Sequence, residues 1–234
     1  MPPISSTTPT TANQPLPASL DQLEKMYGPP PPPALRDALE LILFEELGEE
    51  DDRRMAAFQV LKQKIGTRAE RILAATPAAL LTVAKLGGLH PEERVERLKK
   101  TATLALEHAR ELRALAALPL ATAKRVLGKF PSVGEPGAEK VLLLSHSQAV
   151  LALDPNAIRV LARLGFGNET RNYAATYRTV QAAAAKHLTP SFDGFVRAHL
   201  LLRQHGTHTC LREAPRCDLC PLKMSCNYFK SRRD

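Results

Sequence analysis

Apolar residues recur at helical spacing along almost the whole chain from Ala34 onward. Leu35, Leu39, Ile42 and Leu43 fall on one helix face. Val95, Leu98, Ala102 and Ala105 line one side of a longer helix, and Tyr173, Tyr177, Val180 and Ala184 line another. Thr76-Pro77 reads as an N-cap followed by proline in the first helical turn. No stretch sustains the period-two alternation of a strand, and β-branched residues are sparse. The pattern predicts an all-α protein of roughly ten helices. Ahead of Ala34 the pattern fails. Residues 1–19 are rich in Ser, Thr, Pro and Ala with no aromatic residue, and are expected to form a disordered tail. Pro29 to Pro33 form a short stiff segment of polyproline type.

The chain has 234 residues, 44% of them hydrophobic, enough for a core in one or two domains. No apolar run approaches the length of a membrane span. The first residues have neither the basic start nor the apolar stretch of a signal peptide, and no charge precedes Asp21. A soluble, cytoplasmic protein is therefore expected, nucleoid-associated if the cell is bacterial. The formal net charge is +8, which suits a polyanionic partner such as nucleic acid. The charge is uneven. From Arg197 to Asp234 eight Lys/Arg stand against three Asp/Glu, while Glu45, Glu46, Glu49, Glu50, Asp51 and Asp52 form an acidic run.

All four cysteines fall in the last thirty residues. Cys210, Cys217, Cys220 and Cys226 are spaced C-x6-C-x2-C-x5-C. In a reducing cytoplasm such a group reads as the shell of one inorganic centre rather than as disulfides. Four thiolates hold either tetrahedral zinc or a [4Fe–4S] cluster. In the middle of the chain, Val126 to Leu143 reads as two helices joined by the tight turn Pro131-Ser132-Val133-Gly134, a helix–hairpin–helix or an ordinary αα-hairpin. Backbone N–H groups at such a turn and at the next helix N-terminus can face a phosphate.

Two further segments set the context: Leu153-Asp154-Pro155-Asn156-Ala157-Ile158-Arg159-Val160, and His205-Gly206-Thr207-His208-Thr209-Cys210 leading into the cysteine loop. This order resembles the endonuclease III branch of the helix–hairpin–helix DNA glycosylases. That family shows L-P-G-V-G, then V-D-T-H-x-x-R-V, then H-G-x-x-x-C opening C-x6-C-x2-C-x5-C. The cysteine spacing matches in full, and the resemblance spans roughly residues 20–228. It implies two helical lobes: a six-helix bundle over 34–149 with the hairpin at about 120–145, and an iron–sulfur lobe of 20–33 plus 150–234. DNA would lie between the lobes. The cysteines would hold a [4Fe–4S] cluster, with zinc as the alternative. Arg212, Arg216 and Lys223 would offer their charges to phosphates, as Pro131, Ser132, Val133 and Gly134 would offer the hairpin backbone.

The resemblance also implies an activity: excision of a damaged or mismatched base, flipped out of double-stranded DNA, by a monomeric enzyme. Asp154 falls on the family's essential carboxylate, which stabilises a cationic sugar. Read alone, Asp before Pro155 is a helix N-cap, and the two roles are compatible. Bifunctional members carry a Schiff-base lysine two residues after the last hairpin glycine. Here that position is Pro136, so the chain is expected to be monofunctional. Lys140, one turn on, is the alternative nucleophile of a bifunctional glycosylase/AP lyase. Glu40 matches a glutamate that adenine-specific relatives carry in the first bundle helix, and otherwise reads as an exposed helix residue. Ser132 stands where the family has glycine, which takes positive φ more readily. The acidic run occupies a place that is polar in the family. Leu47 within it is a candidate apolar wedge, or the run is a solvated loop. A non-catalytic iron–sulfur DNA-binding protein on the same scaffold is the second reading of the whole chain.

Overall fold

The computed structural model describes residues 14–48 and 50–232, so most of the expected tail, and Glu49, lie outside the described residues. Thirteen α-helices and no strand occur among the described residues, in accord with an all-α class. None of the helices is long and apolar enough to cross a membrane. The chain divides into two units. Pro33–Gln148 makes one, and the segments up to Pro32 and from Ala149 make the other.

The central unit carries eight helices where six were expected: α2 (Ala38–Glu46), α3 (Asp51–Lys64), α4 (Ala69–Ala74), α5 (Pro77–Leu86), α6 (Pro91–Glu107), α7 (Ala109–Arg113), α8 (Leu120–Leu127) and α9 (Glu135–Leu144). The two extra ones are short. The chain leaves helical geometry at Ala75 ahead of Pro77, and at His108, and each break isolates a one-turn piece. Side-chain caps set several starts. Asp37 accepts the Glu40 N–H at 2.9 Å, which leaves Leu35 outside the helix it was expected to join. Thr76 caps α5 through the Ala79 N–H, as its position before Pro77 predicts. Val95, Leu98, Ala102 and Ala105 of α6 are buried, and that helix packs on α2, α4 and α5. Removing such side chains from water is what holds a bundle together, at about 25 cal/mol per Å² of apolar surface. Gly87 lets the end of α5 meet the end of α2 closely: a Cβ there would lie 1.8 Å from the Leu47 carbonyl oxygen.

The other unit contains α1 (Leu16–Tyr27), α10 (Pro155–Leu164), α11 (Tyr173–Ala185), α12 (Phe192–His208) and α13 (Asn227–Lys230), with two 3₁₀ turns, Cys217–Leu219 and Lys223–Ser225. Residues 16–19, expected in the tail, are helical. Pro17 lies in the first turn of the helix, and Leu16, Leu20 and Leu23 share its buried face. A polar composition upstream masked that stripe. Arg197 of α12 ties α1 down through Glu24 and through Asp21 at 2.9 Å. On α11, Tyr177, Val180 and Ala184 are buried as expected, while Tyr173 at its first position is exposed. Helices α10 and α12 pack closely because Gly206 has no side chain: a Cβ there would lie 2.7 Å from the Asn156 carbonyl oxygen.

Candidate functional site

In the central unit, α8 and α9 form the expected helix–hairpin–helix, joined through Pro131, Ser132, Val133 and Gly134. The turn does not use the left-handed region. Gly134 has φ −78°, and His90 and His146 are the only non-glycine residues with positive φ among those described. Serine in place of glycine therefore causes no backbone strain. Instead, the Ser132 N–H and hydroxyl both donate to the carboxylate of Glu46, at 3.1 and 2.5 Å. Glu46 is 0% exposed. Lys124 of α8 donates to Glu135 at 2.7 Å and to Glu139 at 2.6 Å, clamping the two hairpin helices together. These two carboxylates outweigh the burial of the amine, so the Lys124 pKa is raised.

The acidic run is neither a solvated loop nor a face turned to phosphates at its start. Glu45 accepts from Lys140 at 2.5 Å and sits 3.5 Å from Arg54, and Glu46 is enclosed. Leu47, the candidate wedge, is also 0% exposed and packs in the core. Glu40 is neither a free acid nor a fully exposed helix residue. Lys62 lies 3.0 Å from its carboxylate and the Thr67 hydroxyl donates to it at 3.0 Å. A turn to which the sequence assigns no role lies before α6. Leu89 is 81% exposed between Gly88 (φ 102°) and His90 (φ 58°). Arg94, itself buried, braces this turn by donating to the Leu89 and Ala84 carbonyls at 2.9 Å each. The sequence signal was present: Gly88-Leu89 leads into the long helix, and a leucine isolated between turn residues has no helical stripe to join.

In the other unit, Asp154 is the N-cap of α10, with Pro155 in the first turn. One carboxylate oxygen accepts the Ala157 N–H at 2.7 Å. The other lies 3.2 Å from Nε of Arg203 on α12 and accepts from the Asn156 amide at 3.4 Å. Burial raises the pKa of the nearby Tyr173 phenol, and the Asp154 charge adds to that shift. Arg203 and Tyr173 were not anticipated, because nothing in the local sequence links them to Asp154. Arg159 connects this corner to the cysteine loop. Its guanidinium donates to the Cys210 carbonyl at 2.9 Å, to the Gly206 carbonyl at 2.6 Å and to Asn156 at 2.8 Å.

Cys210, Cys217, Cys220 and Cys226 line one small cavity of about 20 Å³, together with Arg163, Thr209, Pro215, Arg216, Lys223, Tyr228 and Phe229. None of the four is in a disulfide. Burial pushes the Cys220 thiol up to about 11 and raises Cys226 as well, and thiolates at the other cysteines would raise them further. Four thiols gathered around one cavity are donors of the kind that hold zinc or an iron–sulfur cluster. No three His, Cys, Asp or Glu side chains among the described residues converge to hold a single ion. Arg163 donates to Cys210 Sγ at 3.3 Å and to the Leu211 and Arg212 carbonyls, and stacks over Tyr228. The His205 imidazole shares a 2.9 Å hydrogen bond with the Tyr27 hydroxyl through one nitrogen and lies 3.5 Å from Cys220 Sγ on the other. Burial holds its pKa down to about 4. Arg212 and Arg216 are exposed, and half-buried Lys223 reaches the Asp218 carbonyl at 3.4 Å. Asp154 and the cysteines thus share one unit, while the hairpin, Glu40 and Lys140 belong to the other.

No family model matches the chain. In sequence it is 31% identical over 103 residues to the endonuclease III of Rickettsia felis, covering 44% of this chain and 45% of that protein. It is 30% identical over 103 residues to the adenine DNA glycosylase of Arabidopsis thaliana, covering 44% of this chain and 16% of that one. The match to the bacterial relative spans less than half its length. In structure it superposes on endonuclease III from a non-covalent DNA complex with a TM-score of 0.75 at 20% identity, covering 94% of this chain and 98% of the other. Over part of its length the chain is similar in sequence to endonuclease III, and over nearly all of it the chain shares the all-helical endonuclease III fold.

Proposed function

We propose that the protein is a monofunctional DNA glycosylase of base excision repair, acting on double-stranded DNA that contains a damaged or mismatched base. The observation that carries the proposal is the Asp154 carboxylate, held at the start of α10 by the Ala157 N–H and Arg203 on an endonuclease III-like fold. A carboxylate fixed in this way stabilises the positive charge that develops on the sugar as the glycosidic bond breaks. The base must first leave the stack. Leu89, exposed on a braced turn, has the form of an apolar wedge that fills the vacated space.

Two observations support hydrolysis by water over an amine nucleophile. Pro136 stands at the Schiff-base position, and Lys140 is engaged by Glu45. Glu40, bound by Lys62 and Thr67, is left out as a proton donor. We infer that Cys210, Cys217, Cys220 and Cys226 hold a [4Fe–4S] cluster: the four thiols line one cavity and carry the C-x6-C-x2-C-x5-C spacing on an endonuclease III-like fold. Such a cluster would offset part of the charge of the four thiolates and fix the loop. The exposed Arg212 and Arg216, with Lys223, are then left to meet phosphates.

The Asp154–Arg203 ion pair also favours a second reading. An arginine offsets the charge the reaction needs, as expected of a scaffold that binds DNA without cutting it. A panel of duplex oligonucleotides, each with one damaged or mismatched base, separates the readings. Strand breaks that appear only after hot alkali support the monofunctional glycosylase and name its lesion. Breaks without alkali point to a lyase using Lys140. Binding to every duplex with no breaks on any would leave the non-catalytic reading.

A further inference from the structure

Glu46 is a fully enclosed carboxylate to which the proposed reaction gives no role. It stands in the last turn of α2, where the helix dipole disfavours negative charge. Burying it without partners would cost several kcal/mol. Its partners lie far off in the chain. One oxygen accepts the Ser132 N–H at 3.1 Å and the Thr101 hydroxyl at 3.1 Å. The other accepts the Ser132 hydroxyl at 2.5 Å and lies 3.5 Å from Arg97 Nε, whose geometry gives an ion pair and no hydrogen bond. Both donors of the hairpin's central serine are thus spent on one carboxylate 86 residues upstream. The adjacent Glu45 takes Lys140 from the second hairpin helix. The end of α2 therefore ties down the hairpin at its turn and again on α9.

We propose that Glu46 is the positioning residue of the hairpin. By engaging Ser132, it fixes the turn so that exposed Gly134 and the start of α9 are presented to a DNA phosphate in one geometry. Serine in place of glycine at 132 is what makes the tie: glycine would offer the N–H alone. The inference rests on the proposed role of the hairpin in gripping DNA.

The test compares E46Q, S132A and T101V in the full-length protein. Readouts are Kd for a plain duplex by fluorescence anisotropy at two salt concentrations, thermal melting, and kcat and KM on the lesion the panel identifies. T101V removes a Glu46 contact that does not reach the hairpin. E46Q and S132A are expected to raise Kd and KM roughly tenfold with kcat little changed, and the double variant to be no worse than either single one. T101V is expected to lower the melting temperature while leaving Kd within about twofold of wild type. If E46Q does not fold, S132A, which leaves the buried carboxylate in place, decides alone. Unchanged Kd in folded E46Q or S132A, or an equal loss in T101V, would overturn the assignment while leaving the glycosylase reading intact. Failure of the wild-type protein to bind any duplex would remove both.

Discussion

Replacing Asp154 by Asn separates the carboxylate's two roles. As an N-cap, Asn ranks with Asp, and its side-chain oxygen can still accept the Ala157 N–H that Asp154 now takes at 2.7 Å. The ion pair with Arg203 is lost, but both side chains are partly exposed, 17% for Asp154 and 35% for Arg203, so solvent screening limits that cost to about 1 kcal/mol or less. The melting temperature should therefore fall by no more than about 4 °C. The chemical cost is larger. A unit negative charge about 4 Å from a sugar cation contributes about 4 kcal/mol at an effective dielectric constant of 20, close to a thousandfold in rate. The assay is single-turnover excision with enzyme in excess, read alongside anisotropy binding and a thermal melt. The expected result is a folded, DNA-binding protein slowed by about three orders of magnitude. D154A should add a loss of about 1 kcal/mol in stability, because alanine cannot cap α10. Excision by folded D154N at a rate within about tenfold of wild type would refute the argument that this charge stabilises the transition state.

Other consequences are as direct. Purified protein should be brown, with broad visible absorption and about four irons per chain; a colourless protein carrying one zinc would refute the cluster. Gly206→Ala should destabilise the protein by about 1–3 kcal/mol, because the new Cβ meets Asn156 at 2.7 Å where α10 and α12 cross; an unchanged denaturation midpoint would show that the crossing relaxes freely. Leu89→Ala should slow excision from a paired duplex more than from single-stranded substrate, since a wedge is needed only where a stack must be opened, and equal effects on both would count against that role.

Much of this molecule could be read along the chain. The stripes Val95-Leu98-Ala102-Ala105 and Tyr177-Val180-Ala184 are buried where helical spacing puts them. Thr76 and Asp154 cap the helices that begin at the prolines after them. Errors gathered where helices are short or interrupted. Leu16 lay hidden behind a polar segment. The one-turn helices Ala69–Ala74 and Ala109–Arg113 are too brief for periodicity to register. At the candidate site, Asp154 and the cysteines came from motif and spacing. Arg203 and Tyr173 did not, since helices remote in sequence bring them to the carboxylate.

The acidic segment marks the boundary most sharply. Sequence alone determined that the end of α2 is crowded with carboxylates, and that Ser132 and Lys140 lie on the hairpin. These are matters of composition and of i, i+4 neighbours, and local physics fixes helices from the same information. Only the tertiary structure decided which of these charges meet solvent. Glu46 pairs with a residue 86 positions away and Glu45 with one 95 positions away. A glutamate looks the same along the chain whether water or a buried amide completes its hydrogen bonds. Which of the two does so depends on where distant helices cross, and here Gly87 against Leu47 brings the end of α2 up against the end of α5.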